Sequence, residues 1–520
     1  MRSKIKDLFY VPKVFSILLV IWFLGVGEAQ PFPSILSKLD ERLSRIDPVG
    51  KVFDPVEEAV PGLELQGSLR FRPRIDLHGK SNSVGPGVKK RYNWSMFEWL
   101  AEVGIDYEIS RDLRVVNIYN FLYDGFFDWS TNGIDWDKEP YRSTRRIRKY
   151  YRTTDRILRE LYLDWYIGDW WLRIGKQQLA WGKMRGKYID IINPSHDWSG
   201  GFGFDTSSNY EWTRVPTWMF NTTYYFGENS LQFLWIPDFE PNTPIPAARN
   251  GNPFGAITPL PSTSSETRQV GPADKPSSNF RNHEFGINFN TFWNRWDISL
   301  FYFYHWDDRP TTFRRGFVLK GEVDSRTGDL AAKDTYYVER KHTRLHSFGM
   351  ASDVNWFALG RTWAGRIEGN YTLNDYASQV GQPTWMVGVA KRNWLSTAYS
   401  LSGKFFRGEL DTTLQLVYIR TFGWDSRLRG AKSGSDRRDY FLTAMSLRKE
   451  FAFINRRLSM GLVHFYREDG DMKQQFNVTF KFSDYLKLLT RYYWFAGNSN
   501  DSWGQNDDKD MLHFEMKYEF

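Results

Sequence analysis

The sequence predicts an all-β fold, a transmembrane antiparallel β-barrel of roughly 16–18 strands with short periplasmic turns, long external loops and a short N-terminal helix. Strict alternation of apolar and polar residues in segments such as 63–78 is the first observation behind this prediction. The second is that these segments come in pairs joined by very short turns, while long polar stretches separate the pairs. The third is composition, because 18% of the residues are aromatic although mean hydropathy is −0.54.

Residues 1–29 predict a signal peptide, since four basic residues precede the apolar run 14–27 and small residues follow at Gly27 and Ala29. Cleavage is expected between Ala29 and Gln30. Residues 30–62 predict a periplasmic segment in which Ile35, Leu39 and Leu43 share one face of a short amphipathic helix over 33–47. A plug or docking role and a plain packed helix both remain open for it.

The barrel is predicted over residues 63–520. Its eighteen strand-like segments are 63–78, 97–109, 113–124, 157–167, 170–181, 214–226, 231–237, 283–292, 296–306, 343–354, 361–373, 387–406, 410–420, 439–450, 458–466, 473–482, 486–496 and 510–520. An even number of strands places both ends of the barrel on the periplasmic side. The alternation of short and long connections is typical of a barrel in the outer membrane of a Gram-negative bacterium.

The last ten residues, MLHFEMKYEF, predict an amphipathic closing strand. Tyr518 and the terminal Phe520 resemble the signal read by the barrel assembly machinery, which is therefore an expected partner together with outer-membrane lipid and lipopolysaccharide. The first strand is expected to pair with this last one. Pro73 lacks an N–H donor, so a bulge or local break is expected beside it.

Even-numbered side chains of the first two segments are predicted to line the lumen. These are Arg70, Arg72 and Arg74 on the first, and Glu98, Glu102, Asp106 and Glu108 on the second. A transverse field across a constriction and ordinary cross-strand charge pairing are two interpretations of this pattern.

The segment LRELYLDWYIGDWWLRIGKQQLAWGK at 158–183 fixes a register if Gly168 and Asp169 form a two-residue turn. The prediction then places Asp164 opposite Arg173, Tyr162 opposite Gly175 and Glu160 opposite Gln177, all facing the lumen. Arg159 and Lys176 fall on the lipid face, where they are expected either to mark the point at which the strands leave the hydrocarbon or to snorkel to headgroups. The Gly-rich stretch 182–213 either folds inward as a constriction or lies outside as a lid.

This hairpin and the stretch RVPTWMFNTTYYFGENSLQFLWIPDFEPN at 214–242 resemble an uncharacterised outer-membrane family, domain of unknown function family 1302. The match is clearest over residues 173–194 and 235–239, and RIEGNY at 366–371 also fits. The resemblance implies a porin-like barrel, often encoded beside RND-type exporters, with no catalytic residues. Gln177 and Trp181, which lie in the matched run, are the candidates for a functional wall of the lumen; a role of this hairpin signature in folding is the alternative.

No sequence motif points to catalysis, so the chain is not expected to be an enzyme, and no cofactor or metal is expected. With no cysteine and a net charge of +8 spread along the chain, thiolate metal sites and a nucleic-acid footprint are both excluded. Two functions remain. One is a channel for small solutes, including hydrophobic compounds handled with an exporter, and the other is a scaffold barrel that docks an exporter or a multihaem electron carrier.

Overall fold

The computed structural model describes a set of residues that begins at 50 and ends at 520. They are 50–77, 93–129, 137, 142, 145–146, 149–150, 154–182, 184, 213–243, 266–277, 279–318, 320–325, 328–330, 334–380, 386–406, 410–429, 437–451, 456–497, 503–504 and 510–520. The predicted signal peptide, its cleavage site at Ala29 and Gln30, and the predicted helix over 33–47 lie outside them. No helix among them is long and apolar enough to cross a membrane.

Strands account for most of the described chain. In order they are β1 (Leu63–Asp76), β2 (Asn93–Ser110), β3 (Leu113–Asp124), β4 (Leu158–Ile167), β5 (Trp170–Gln177), β6 (Thr217–Phe226), β7 (Asn229–Ile236), β8 (Glu266–Asp274), β9 (Glu284–Trp293), β10 (Trp296–Trp306), β11 (Thr311–Val318), β12 (Asp334–Lys341), β13 (Arg344–Ala358), β14 (Arg361–Val380), β15 (Met386–Phe405), β16 (Leu410–Phe422), β17 (Leu428–Arg429), β18 (Asp439–Glu450), β19 (Leu458–Arg467), β20 (Met472–Lys481), β21 (Leu486–Ala496) and β22 (Met511–Glu519). The helices are α1 (Gly50–Ala59), α2 (Phe126–Trp129), α3 (Thr154–Ile157) and a 3-10 turn at Phe280–Asn282.

Eighteen of these strands form one closed antiparallel barrel, and each of the eighteen predicted segments coincides with one of them. Neighbours in sequence pair in turn around the barrel. The sheet closes where β22 pairs with β1, and Leu69 lies opposite Tyr518 there. The predictions of the fold and of the closing pair are confirmed.

The two faces of the barrel wall differ in polarity, as expected when apolar and polar residues alternate along each strand. On β1 the polar Ser68 and Arg70 are buried, whereas Leu69 between them is 48% exposed. Exposed apolar side chains recur around the closed sheet, as with Trp165, Phe348 and many others. An outward apolar band over a polar inner face is the architecture of a transmembrane barrel, and the closed sheet of this chain has that architecture.

The connections alternate in length with two departures from the expected pattern. The periplasmic turns are short, and the turn between β9 and β10 has positive φ at Asn294 and Arg295, as a two-residue hairpin turn requires. Most external connections are long. At the external end, however, only five residues separate the end of β14 from the start of β15, and the connection 468–471 is also short, so alternation is not strict.

The ladder at Pro73 is interrupted as expected. Pairing of β1 with β22 stops at Phe71 and resumes at Arg74, and β2 has a bulge at Ser95, where Arg74 pairs with Met96 but Ile75 with Trp94. The missing proline N–H accounts for the first break.

The helix α1 packs beneath the barrel seam. The Phe53 ring lies 5.3 Å from that of Phe520, whose main chain exchanges two hydrogen bonds with Gly67. Beyond this point β1 has no β22 neighbour, and the Leu65 N–H is donated to the Glu57 carboxylate instead. The helix therefore covers a strand edge that would otherwise be open.

Three strands missed by the sequence analysis form a separate sheet at the external end. β12 pairs antiparallel with β11 and parallel with β8. The Thr311 hydroxyl on β11 donates to the Tyr376 carbonyl oxygen, so this sheet contacts the external extension of β14. A short β17 pairs with the same extension.

Candidate functional site in the barrel lumen

Charged side chains occupy the buried face of the sheet around the seam. Arg72 lies opposite Glu98 and forms an ion pair with it. Arg70 donates to Ser68 Oγ at 3.3 Å, and Arg74 to the bulged Ser95 at 2.9 Å. The predicted basic and acidic series thus meet directly at the Arg72 rung.

The acids further along β2 have partners on later strands. Asp106 is buried and forms an ion pair with Arg114 of β3, whose Nη2 lies 2.9 Å from Asp106 Oδ2. Glu102 lies 4.0 Å from Arg159 Nε of β4. Glu108, by contrast, is exposed at the periplasmic end of β2.

The hairpin of β4 and β5 has the register that the sequence predicts. Asp164 pairs with Arg173 and Tyr162 with Gly175. Arg173 donates to both Asp164 oxygens at 2.7 Å and covers the Tyr162 ring, with 4.0 Å between guanidinium carbon and ring centroid. This bidentate, stacked arrangement holds the Arg173 side chain in one orientation.

The placement of Arg159 and Lys176 on the lipid face is wrong, because both side chains are buried. Against β3 the register shifts between Ile118 and Tyr119, which pair with Glu160 and Leu158, so Arg159 is an extra residue in a bulge and turns inward. Lys176 follows Gly175, whose φ is +137°, and donates to the Leu158 carbonyl oxygen. The isolated glycine in the strand was the sequence signal for this irregularity.

A chain of hydrogen bonds extends from Gln177 across three strands. Gln177 is fully buried and accepts from Asn221 Nδ2 at 3.2 Å, and Asn221 Oδ1 accepts from Gln232 Nε2 at 2.8 Å. Gln232 Oε1 in turn accepts from Trp181 Nε1 at 2.7 Å. Glu160, expected opposite Gln177, accepts instead from Gln178 Nε2 at 2.6 Å.

The residues after β5 leave the sheet and cross the lumen. We call residues 178–184, without 183, the strap. Trp181 packs against buried residues of β6, β7 and β10, with ring centroids 5.4 Å from Phe301 and 6.1 Å from Phe303. A Cβ on Gly286 of β9 would lie 2.8 Å from the Trp181 ring, so the bare backbone there makes room for the indole.

The far end of the strap reaches strands on the other side of the barrel. The Met184 N–H is donated to Glu368 Oε1 of β14 at 2.8 Å. The Met184 side chain packs in a buried cluster with Trp394, Ala398, Val417, Ile419, Tyr440 and Leu442 of β15, β16 and β18. Since this cluster lies on the inner face, the described part of the strap is folded inward.

A second inward segment, residues 503–504, follows β21. The N–H groups of Trp503 and Gly504 are donated to the fully buried Asp471, which also pairs with Arg467. Burial raises the pKa of Asp471, although these N–H donors oppose the shift. Trp503 packs against the cluster that holds Met184 and against the buried Tyr493 of β21.

Sequence reasoning missed three of these residues. Glu368 lies within the RIEGNY stretch and has an inner-face position, but alternation alone does not give a carboxylate a partner far away in sequence. Met184 and Trp503 lie in connections, where no strand period applies. Among the described residues, no group of three or more His, Asp or Glu side chains could hold a metal ion.

Comparison with solved structures finds outer-membrane porins. This chain is 9% identical to Pseudomonas aeruginosa OccK2 (OpdF), solved with glucuronate, over 89% of this chain and 98% of that one, at a TM-score of 0.47. It is 9% identical to a BenF-like porin of Pseudomonas fluorescens Pf-5 over 88% and 98%, at 0.47. For P. aeruginosa OccK8 (OprE) the identity is 10% over 88% and 98%, at 0.47.

No family model and no curated protein matches this chain. The geometry of the inner wall and of the strap therefore supports the function proposed below.

Proposed function

We propose that the protein is an outer-membrane channel for small solutes, narrowed by the strap. The observation that carries this proposal is the path of the strap, from β5 past Trp181 to Met184 against β15, β16 and β18. A segment fixed at both ends on the inner wall reduces the cross-section open to solutes without closing the sheet.

The charged side of the wall is the proposed solute path. The strap runs in front of β6, β7, β9 and β10, whose inner faces carry neutral groups such as Asn221, Gln232 and Asn288. The remaining arc, around the seam, holds the residues predicted to line the lumen: Arg70, Arg72, Arg74, Glu98, Glu102, Asp106, Glu160, Asp164 and Arg173. Glu108, Tyr162 and Gln177 complete the proposed lining. Cations and carboxylates side by side on this wall would orient polar solutes that pass it.

We extend the proposal to hydrophobic compounds handled together with an RND-type exporter. The family resemblance supports the exporter, and the two apolar clusters at the ends of the strap support apolar solutes. The clusters also have a plainer role as anchors of the strap. Co-purification of an exporter subunit with the barrel tests the partnership.

Single-channel recording in planar bilayers tests the channel itself. The purified barrel, shown to be folded by heat-modifiable migration in detergent gels, should give discrete open steps. A folded barrel that inserts but conducts no ions would refute the channel and would favour a scaffold that docks a periplasmic partner.

A further inference from the structure

The pairing of the strap with β14 depends on one carboxylate. Glu368 is 2% exposed, and its Oε1 accepts the Met184 N–H at 2.8 Å. The two residues are 184 positions apart in the sequence, so this bond joins the strap to a strand that is not its neighbour in the sheet. A hydrogen bond to a charged acceptor inside a protein is stronger than one between neutral groups.

The neighbours of Glu368 leave space for the strap. Glu368 lies opposite Ala351 on β13 and Ala398 on β15, so alanines flank it at the same rung on both sides. Ala398 belongs to the cluster that holds the Met184 side chain. The short side chains allow the strap backbone to approach the wall at this point.

The strap has a matching adaptation at Gly182. Its φ is +93°, a conformation that residues with a Cβ rarely adopt, and a Cβ there would lie 2.9 Å from Glu368 Oε2. Glycine on one side and a carboxylate on the other thus form a close contact between the strap and β14.

We propose that Glu368 is the positioning residue that latches the strap across the lumen and so sets the width of the channel. The part about channel width rests on the proposed function, whereas the latch does not. Without this acceptor the Met184 N–H loses its bond, and the contacts described for Met184 that remain are its apolar packing and the weak donation from Gln415 Nε2 to its sulfur at 3.6 Å. Glutamine keeps an oxygen at the same place, while alanine removes it.

Because the chain has no cysteine, a Met184→Cys reporter is unique. We would measure its labelling rate with a membrane-impermeant thiol reagent in proteoliposomes, and compare added substitutions in this background. Glu368→Ala should raise the rate about tenfold or more, and Glu368→Gln should raise it much less. Gly182→Ala disturbs the same contact from the strap side and should also raise the labelling rate. The matched control is Gly369→Ala on β14, where the nearest atoms to an added Cβ are 3.8 Å away, and it should change nothing.

Single-channel conductance is then measured on the same variants without the reporter. Glu368→Ala and Gly182→Ala should conduct more than wild type, and Glu368→Gln should stay close to it. An unchanged labelling rate in both heat-modifiable Glu368→Ala and Gly182→Ala would overturn the latch. Faster labelling with no current from any variant, wild type included, would keep the latch and refute the channel. Faster labelling with unchanged conductance would overturn its role in channel width.

Discussion

Replacing Gly175 by alanine tests the inner-wall geometry at its most constrained point. The φ of Gly175 is +137°, and an added Cβ would lie 2.8 Å from Tyr162 Cα and still closer to the Leu161 carbonyl oxygen. Both neighbours are main-chain atoms of β4 and cannot rotate away without breaking the ladder. The strained conformation costs about 1–3 kcal/mol, and forced repacking costs about 1–3 kcal/mol more. The expected loss of stability is therefore about 2–6 kcal/mol.

The assay is urea unfolding of the barrel in lipid vesicles, followed by tryptophan fluorescence. Gly369→Ala is the control, because its Cβ would meet only ordinary van der Waals contacts and should cost under about 1 kcal/mol. A Gly175→Ala protein within about 0.5 kcal/mol of wild type would refute the reasoning, and with it the explanation of how Lys176 comes to be buried.

Three further predictions concern the seam, an external connection and the proposed solute path. Glu57→Ala should lower stability by about 1 kcal/mol, because a β1 N–H loses its acceptor, whereas Glu58→Ala, exposed on the same helix, should not. Burial lowers the pKa of His342, so the folded state resists a proton that the unfolded state accepts. The contribution of neutral His342 to the free energy of unfolding is fully present above the ordinary histidine pKa and is lost as pH falls below it. Between about pH 7.5 and 5.5, the His342→Asn protein should therefore lose less urea resistance than wild type. Arg72→Gln should shift the ion selectivity of the channel toward cations, and Glu98→Gln toward anions.

Each of these expectations has a contrary result. Equal losses of stability in Glu57→Ala and Glu58→Ala would refute a stabilising role for the hydrogen bond from the Leu65 N–H to the Glu57 carboxylate. Parallel pH dependence in wild type and the histidine variant would deny that His342 stays neutral in the fold. Shifts of the same sign from Arg72→Gln and Glu98→Gln would deny that the pair lines the ion path.

Barrel strands were predictable because each must present apolar residues to lipid and polar residues to the lumen, which imposes a period of two on the sequence itself. Strands β8, β11 and β12 do not separate lipid from the lumen, so the period of two is not required of them. They pair with one another outside the barrel wall, partly in parallel between distant segments, and β8 even contains Pro272. Their sequences therefore carry no alternating pattern.

Contacts of the candidate site could be predicted where they lie within one hairpin, but not where they cross the lumen. Registers within a hairpin follow from the turn, so the Asp164–Arg173 pair was found from Gly168 and Asp169 alone. Contacts across the lumen follow from no local rule. The Glu368–Met184 bond depends on where a connection returns to the wall, and that depends on the whole closed barrel.

Gly175 pairs with Tyr162 as predicted, but the Tyr162 ring is not the reason why a glycine is required there. An aromatic residue opposite a glycine in a neighbouring strand commonly covers the bare backbone with its ring. The Tyr162 ring instead lies under the Arg173 guanidinium, and the nearest neighbours of a Cβ on Gly175 would be main-chain atoms. Backbone conformation, rather than ring packing, requires the glycine.

The most direct test of the central claim is the ion current through the purified, heat-modifiable protein in a planar bilayer. A barrel narrowed by the strap predicts discrete open steps whose size grows when the Glu368 carboxylate is removed. Absence of steps from an inserted barrel, or steps of the same size in wild type and Glu368→Ala, would contradict it.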